Sequence, residues 1–250
     1  METGRGTVQR RAEIARLLAQ TGAVEVASLV ARFGVTAPTI RRDLAWLTEQ
    51  GLARRVRGGA LAVGEGASTA SPDAVPVRIG RAVAGLVQDG ETVFLSPGPL
   101  AVETARALAG RERLTVVTNG LTVARQVAEC TSHTLILTGG QLERGRHGLV
   151  GHLARAALEG LRADRVLLEL SGVSAVDGLT DDSLPQAELA RVLLDLNVQI
   201  VVLVAPERVG RVAAAYIGPA SEADAVVTGR EADSAPLWDL AESGVRVVLA

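Results

Sequence analysis

The stretch TAPTIRRDLAWL, residues Thr36–Leu47, decides the fold of the first part of the chain, together with GLARRVRGGA at residues 51–60. Thr36 stands where a helix N-cap belongs, and Pro38 fits the first turn, where backbone amides have no helical partner. Apolar residues then recur at helical spacing up to Gly51, at Ile40, Leu44 and Leu47. The pattern predicts a helix that buries one apolar stripe.

Four polar residues of this predicted helix fall outside the apolar stripe. They are Thr39, Arg41, Arg42 and Asp43, and we expect their side chains to face water or a ligand. Residues 1–60 hold ten Arg and five acidic residues, a net charge of +5, whereas the remainder carries −7. A basic segment attached to an acidic body indicates that the first part of the chain binds a polyanion.

Two further helical patterns precede this stretch. Residues Gln9–Gln20 carry apolar side chains at i, i+3 and i+4, and Glu25–Phe33 carry a second stripe that ends at Gly34. The short connection between the second and third helices predicts a helix-turn-helix. Residues Leu52–Ala60 alternate weakly and end in paired glycines, which predicts a short hairpin, or wing.

Residues Leu61–Pro76 are rich in Gly, Ala, Ser and Pro and show no periodicity, as is typical of a linker. The chain is therefore expected to contain a winged helix-turn-helix domain over residues 1–60, a linker over 61–76 and a larger α/β domain over 77–250.

From Val77 onward, short apolar runs alternate with helical patterns. Strands that are apolar throughout and separated by helices form parallel sheets covered on both faces, so we predict an α/β fold with a mostly parallel sheet. The predicted strands are Thr92–Leu95, Leu114–Thr118, Thr134–Leu137, Val166–Leu170, Gln199–Val204, Ala225–Val227 and Val245–Leu249, and the predicted helices include Val77–Val87, Ala101–Leu108, Leu121–Ala128 and Leu184–Leu194.

Small and polar residues follow several of these strands. In open α/β sheets ligands bind beyond the carboxyl ends of the strands, where small residues let backbone amides approach an anion. Glycines and polar residues also make ordinary turns, but several such loops at one sheet edge favour a ligand crevice. The candidate residues in the first three loops are Ser96 and Gly98, Thr118 and Asn119, and Gly139 and Gly140.

Composition excludes several classes of protein. All 26 basic residues are Arg, which excludes a Schiff-base lysine and a P-loop lysine. The single Cys excludes an internal disulfide and fits a reducing cytoplasm. The longest uncharged run, residues 130–142, is too short to span a bilayer. We therefore expect a cytoplasmic protein without membrane contact, and the residues indicate no cofactor and no metal.

The segment TAPTIRRDLAWL with its following GLARRVRGGA closely resembles the N-terminal domain of the DeoR family of bacterial transcriptional regulators. The resemblance implies that the chain binds a double-stranded DNA operator. It places Thr36, Thr39, Arg41 and Arg42 on the recognition helix, and Arg55 and Arg57 on the wing. The family usually has His at the position of Arg57, and Arg adds a permanent charge for phosphate contact.

Dispersed segments of the second part, among them FLSPGPLAVETARAL, VVTNGLTVA and GVSAVDGLT, resemble the DeoR sensor domain, which is similar in fold to ribose-5-phosphate isomerase and CoA transferases. The resemblance implies a sugar-pathway effector, often phosphorylated, and a repressor that releases DNA when the effector binds. Asp177 and Gly178 lie in a loop expected near the crevice, where Asp177 would receive sugar hydroxyls or cap the loop. Arg208 keeps a cation that the family has as Lys.

The first loop of the sensor domain departs from the family pattern. The family typically has Asp-x-Gly-Ser-Thr-Thr, which holds a phosphate, whereas this chain has Ser96-Pro97-Gly98-Pro99-Leu100-Ala101. The hydroxyls and the carboxylate are replaced, and two prolines remove amide donors. The effector is therefore either a sugar phosphate or a less charged metabolite, or ligand binding has been lost.

Three functions compete for this sequence. The first is a DNA-binding repressor of sugar or related carbon metabolism genes with a metabolite sensor. The second is an isomerase- or transferase-type enzyme with a DNA-binding head, which would need a positioned acid/base pair; Ser96 and Ala205 stand where a carboxylate is expected, so we expect no enzyme activity. The third is a regulator that senses nothing. Operator recognition follows protein symmetry, so we expect a homo-oligomer, a dimer or higher.

Overall fold

A computed structural model describes residues 3–21, 23–49, 53–56, 58–62 and 74–250. The chain divides into two compact units, residues 1–69 and residues 70–250. In the described part of the chain, no helix combines the length and the apolar character that a bilayer span requires.

Three helices and a small sheet make up the first unit. Apolar side chains from all three helices share one core, which includes Ile14, Leu29 and Ile40. The predicted helices and the predicted hairpin are confirmed. The elements are α1 (Thr3–Thr21), β1 (Ala23–Glu25), α2 (Val26–Phe33), α3 (Ala37–Glu49), β2 (Ala53–Val56) and β3 (Gly59–Ala62).

The strands of this unit form an antiparallel sheet in the order β1-β3-β2. The sequence pattern does not predict β1, because three residues are too few to show a period. A Cβ atom at Gly59 would lie 2.1 Å from the carbonyl oxygen of Val24. Only glycine therefore lets β1 and β3 approach this closely, which accounts for one of the paired glycines of the wing.

Asp43 is buried, which corrects the expectation that it faces water or a ligand. Its carboxylate accepts hydrogen bonds from Nε of Arg10 at 2.6 Å and from Nε of Arg11 at 2.9 Å, both on α1. The Arg11 guanidinium also lies over the ring of Trp46, 4.6 Å from its centroid. Burial of this carboxylate is tolerated because two guanidinium groups compensate its charge. Asp43 therefore joins α3 to α1.

The second unit alternates strands with helices. Its helices are α4 (Val75–Leu86), α5 (Pro99–Ala107), α6 (Leu121–Cys130), α7 (His152–Glu159), α8 (Leu184–Leu194) and α9 (Ser234–Glu242). Its strands are β4 (Thr92–Leu95), β5 (Thr115–Thr118), β6 (Thr134–Leu137), β7 (Gln141–Glu143), β8 (Gly148–Val150), β9 (Arg165–Glu169), β10 (Gly172–Ser174), β11 (Gly178–Asp181), β12 (Gln199–Leu203), β13 (Ala215–Gly218), β14 (Ala225–Thr228) and β15 (Arg246–Leu249). Short 3₁₀ turns lie at Leu108–Gly110, Pro206–Arg208 and Ala220–Glu222.

A seven-stranded parallel sheet in the order β15-β14-β12-β9-β4-β5-β6 forms the centre of this unit. The predicted α/β fold is confirmed, and the bounds of all seven predicted strands agree with the structure to within one residue. Neighbouring parallel strands need long crossover connections, and the helices of this unit lie in these connections.

Each face of the sheet packs against its own set of helices. Val166 and Leu168 of β9 belong to the core that α7, α8 and α9 cover, whereas Leu167 belongs to the core under α4, α5 and α6. This alternation explains why the strands read as continuous apolar runs, since both faces of a parallel sheet are buried.

Two small antiparallel sheets supplement the parallel one, with the strand orders β10-β11-β13 and β7-β8. The sequence does not predict these strands, because they have three or four residues and contain Gly and polar side chains. They lie in connections that follow strands of the parallel sheet, and they bring polar residues to its carboxyl edge.

Two described elements overlap the ends of the expected linker, residues 61–76. Strand β3 continues to Ala62, and α4 begins at Val75. The intervening residues 63–73 lie outside the described residues.

We expect Asp43→Ala to lower the free energy of unfolding of the first unit by about 2 to 3 kcal/mol, because two partly buried arginines lose their counter-charge. Denaturant unfolding followed by Trp46 fluorescence measures this effect. A Trp238→Phe background removes the signal of the second unit, and Trp238 is largely exposed.

Glu13→Ala is the matched control for this prediction. Glu13 also binds two arginines, Arg16 and Arg32, but all three side chains reach solvent, so we expect little change in stability. If Asp43→Ala shifts the unfolding midpoint no more than Glu13→Ala, the buried ion pairs do not stabilise the unit.

Candidate functional site

The exposed face of α3 presents a pair of arginines. Ile40, Asp43, Leu44 and Leu47 are turned into the unit, and Arg41 and Arg42 are exposed. Within the described part of the chain, neither guanidinium group takes part in a hydrogen bond or ion pair. Both charges are therefore available to a polyanion, in contrast to Arg10 and Arg11, which Asp43 holds.

The structure describes three of the four other residues that are predicted to contact DNA. Thr36 is exposed and precedes α3, and its hydroxyl oxygen lies 3.0 Å from that of Thr39. Arg55 lies on β2 of the wing, and Arg57 lies outside the described residues. The structure thus places Thr36, Thr39, Arg41 and Arg42 at one end of α3, and the DNA contacts of all six residues stay predictions.

A cavity opens at the carboxyl ends of the adjacent strands β5, β4 and β9. It encloses about 330 Å³, counted out to its open mouth. Polar lining residues are Ser96, Asn119, Arg146, Glu169, Asp181 and Gln186, and apolar ones are Phe94, Pro97, Leu168, Leu170, Leu189, Ala190, Leu193 and Ile217.

Glu169, the last residue of β9, is the most unusual residue of this cavity. It is only 7% exposed, and its Oε2 accepts a hydrogen bond of 2.9 Å from the backbone N–H of Ala101. Ala101 lies in the first turn of α5, where amides have no helical partner and the helix dipole favours a negative charge. The carboxylate thus occupies the anion-binding end of that helix.

Gly98 makes room for this carboxylate. A Cβ atom built at Gly98 would lie 2.1 Å from Oε2 of Glu169, and the residue has a φ of +151°. Ser96 holds the other side of the strand end, because its Oγ accepts a hydrogen bond of 2.8 Å from the N–H of Glu169. The loop after β4, which departs in sequence from the family's phosphate-holding pattern, therefore encloses a carboxylate that belongs to the protein.

Burial raises the pKa of the Glu169 carboxyl from 4.5 to about 7. The amides of Ala101 and Leu100 and the charges of Arg146 and Arg208 act in the opposite direction. Because loss of hydration disfavours the charged form, this carboxyl changes its protonation near neutral pH.

Asn119 follows β5 and is 1% exposed. Its Nδ2 donates to the carbonyl oxygen of Leu149 at 2.9 Å and to Oε1 of Gln186 at 3.0 Å. The Nε2 of Gln186 in turn donates to the Glu143 carboxylate at 3.1 Å, which determines the orientation of both amides. The Oδ1 of Asn119 is consequently left buried without a hydrogen-bond partner.

Arg146 and Asp181 form an ion pair in the lining of the cavity. The Arg146 guanidinium donates to Oδ2 of Asp181 at 2.9 Å and also to the hydroxyl of Ser171. Arg146 lies in the turn between β7 and β8, and Asp181 ends β11. The two small antiparallel sheets thus supply an ion pair to the cavity.

The other predicted effector residues lie outside the cavity lining. Thr118 is fully buried and its hydroxyl donates to the carbonyl oxygen of Leu95 at 2.6 Å. Asp177 accepts from the hydroxyl of Ser174 at 3.1 Å, beside Gly178 in the turn before β11. The remaining three are Gly139 and Gly140, which follow β6, and Arg208, which lies in a 3₁₀ turn after β12. The structure brings Ser96 and Asn119 together, with Gly98 beside them.

Sequence reasoning misses Glu169, Arg146 and Gln186. For Glu169 a signal exists, because it is the one charged residue between Arg165 and Asp177, inside an otherwise apolar run. It also supplies a carboxylate at a strand end, where Ser96 and Ala205 suggested that none is present. No comparable signal marks Arg146, since only the folding of the β7-β8 hairpin brings it to the cavity.

The raised pKa of Glu169 predicts a pH-dependent stability. The folded state holds the proton up to about pH 7, whereas the unfolded state loses it near 4.5. The stabilisation is therefore complete below the unfolded pKa and is lost as the pH rises through the folded pKa, a change of about 3 kcal/mol. We expect Glu169→Gln to lack this loss, so that its stability relative to wild type increases between about pH 5 and pH 8.

Urea unfolding of both proteins across that pH range measures the difference. Glu159→Gln is the control, because it removes an exposed carboxylate that pairs with Arg155 on the surface of α7. If the difference between wild type and Glu169→Gln is flat with pH, burial does not raise the pKa of Glu169.

Solved structures that are similar to this chain include ribose 5-phosphate isomerase A from Methanocaldococcus jannaschii, at 14% identity and a TM-score of 0.39 over 55% of each chain. Another is eIF2B beta from Chaetomium thermophilum, at 14% identity and a TM-score of 0.41, covering 88% of this chain and 62% of that one. Similarity at this level has no bearing on function.

The relatives that resemble this chain in sequence include several transcriptional regulators. The glycerol-3-phosphate regulon repressor of Escherichia coli (strain K12) is 31% identical over 88% of this chain and 90% of its own length. The transcriptional repressor AccR of Agrobacterium fabrum is 30% identical over 79% and 80%. The HTH-type transcriptional regulator GolR of Listeria innocua is 29% identical over 97% and 98%.

Two family models match consecutive parts of the sequence. The DeoR-like helix-turn-helix domain matches residues 10–65, which contain most of α1 together with α2, α3 and the wing of the first unit. The DeoR C-terminal sensor domain matches residues 77–230, which contain the cavity and most of the parallel sheet. Together with the relatives, these matches establish that the chain belongs to the DeoR family of transcriptional regulators.

Proposed function

We propose that this regulator is a repressor of carbon metabolism genes, and that a small metabolite in the cavity of the second unit relieves its binding to an operator. The observation that carries the proposal is the match of residues 10–65 to the DeoR-like helix-turn-helix domain, with Arg41 and Arg42 exposed on its third helix.

The first unit has the shape and charge that operator binding requires. A helix of the length of α3 fits the major groove, and arginines contact guanine edges or phosphates. Asp43 ties α3 to α1, so the exposed arginines are presented from a rigid element. Strand β2 of the wing follows directly, and its sequence adds Arg54 and Arg55 for contacts with the DNA backbone.

The cavity supports the sensing part of the proposal. It lies beyond the carboxyl ends of adjacent parallel strands, where ligands of open α/β sheets bind. It also falls within the segment that matches the sensor domain. One relative is named for the glycerol-3-phosphate regulon, which supports an effector from sugar or polyol metabolism for this chain.

We further infer that the chain acts as a homo-oligomer in the cytoplasm and has no enzyme activity. Oligomerisation follows from the symmetry of operator sites. Enzyme activity is disfavoured because the carboxylates of the cavity are engaged, Glu169 by amides of α5 and Asp181 by Arg146. We expect no turnover of ribose 5-phosphate by the purified protein.

Arg41→Ala and Arg42→Ala are expected to weaken operator binding. A variant that loses a phosphate contact is expected to reduce the slope of log K against log salt by about one, because one fewer counterion is released. The measurement is fluorescence anisotropy with a duplex selected from a random library by the wild-type chain, at several salt concentrations.

Arg16→Ala is the matched control, because Arg16 lies on α1 and is already paired with Glu13 at 2.9 Å. We expect it to bind the duplex as the wild type does. If Arg41→Ala and Arg42→Ala both keep wild-type affinity and salt slope, α3 is not the recognition helix.

A further inference from the structure

The carboxylate of Glu169 occupies the position at which this fold would bind an external anion. Helix α5 has nine residues, and the amide of its residue Ala101 donates to Oε2 of Glu169 at 2.9 Å. Gly98 is packed so tightly against this carboxylate that a Cβ atom would lie 2.1 Å away. A phosphate could reach these amides only by displacing Glu169 from them.

The charges that line the cavity also disfavour an anion. Glu169 and Asp181 are carboxylates, and Arg146 is the cation that accompanies them. Its guanidinium is already engaged by Asp181 and Ser171. Arg208 is near enough to lower the pKa of Glu169 but does not line the cavity. With Glu169 ionised, a bound phosphate ester would face an excess of negative charge.

Asn119 provides an independent indication of the ligand. Asn119 lines the cavity, its Nδ2 is held by Leu149 and Gln186, and its Oδ1 is a buried acceptor without a hydrogen-bond partner. An unsatisfied buried acceptor is costly, so the site favours a group that donates a hydrogen bond. A hydroxyl group is such a donor, whereas an ionised phosphate is mainly an acceptor.

The cavity measures about 330 Å³ counted out to its open mouth, a size that suits a small metabolite. The lining also includes apolar residues such as Leu189 and Ile217, which suit the C–H surface of a carbohydrate.

From these observations we propose that the cavity binds a neutral polyhydroxylated molecule, an unphosphorylated sugar or polyol, and that Glu169 excludes its phosphate esters. Hydroxyl groups donate to Oδ1 of Asn119 and to the carboxylates of Glu169 and Asp181. This inference rests on the proposed function, since it names the effector class of the same cavity.

The test compares the full-length wild type with Glu169→Ala and Glu169→Gln by isothermal titration calorimetry at about pH 8, where the wild-type carboxyl is ionised. The probes are inorganic phosphate and matched pairs: glycerol with glycerol 3-phosphate, ribose with ribose 5-phosphate, and galactitol with galactitol 1-phosphate. Wild type is expected to bind at least one unphosphorylated compound and to bind no ester more tightly than its parent.

Glu169→Ala frees the amides of α5, and we expect it to gain affinity for inorganic phosphate and for the esters by about tenfold or more. Glu169→Gln removes the charge but still fills the space. Its gain in affinity for phosphate is therefore expected to be much smaller. Comparison of the two variants separates the effect of filling the site from the effect of its charge. A circular dichroism spectrum like that of the wild type, together with duplex binding, establishes that each variant is folded.

Three results would overturn the proposal. One is a wild type that binds an ester more tightly than its parent compound. Another is the absence of any gain in phosphate binding in a folded Glu169→Ala variant. The third is a panel in which no unphosphorylated compound binds the wild type at tens of millimolar. Binding to the DNA duplex described above tests the proposed function separately. If library selection yields no duplex that the wild type binds, the repressor role itself is contradicted, whatever the cavity binds.

Discussion

Parallel pairing of seven strands is the constraint on which the second unit depends. A parallel sheet buries both faces, so each strand must supply apolar residues in two directions and helices must cover both sides. The same pairing directs the loops after β4, β5 and β9 to one edge. The cavity exists there because the ends of neighbouring strands are held about 5 Å apart by their hydrogen bonds.

At that edge a single buried carboxylate determines the character of the site. Glu169 loses hydration when β9 enters the sheet, and the amides at the start of α5 replace only part of it. The result is a carboxyl with a pKa of about 7, a glycine that is required at position 98, and a helix end that is closed to external anions. The amides that follow β4 therefore bind a carboxylate of the protein itself.

In the first unit, a comparable buried carboxylate has a different consequence. Asp43 is compensated by two arginines of α1, and this arrangement uses the charges of Arg10 and Arg11 within the protein. Arg41 and Arg42 stay exposed. The fold thus divides the basic residues of this segment into two groups. One group stabilises the unit, and the other is available to DNA.

The pattern of apolar residues by itself determined the three helices of the first unit and the seven strands of the parallel sheet. A stripe at every third and fourth residue and a continuous apolar run buried on both faces each leave a local signal. The pattern also marked Ser96, Gly98 and Asn119 as residues after strands. It placed Asp43 on the wrong side of α3, since the edge of a helical stripe depends on which neighbouring helix packs there. Only the tertiary structure decided that Glu169, Arg146 and Gln186 meet at one cavity, because they come from a strand, a hairpin turn and a helix that are far apart in sequence and leave no common local pattern.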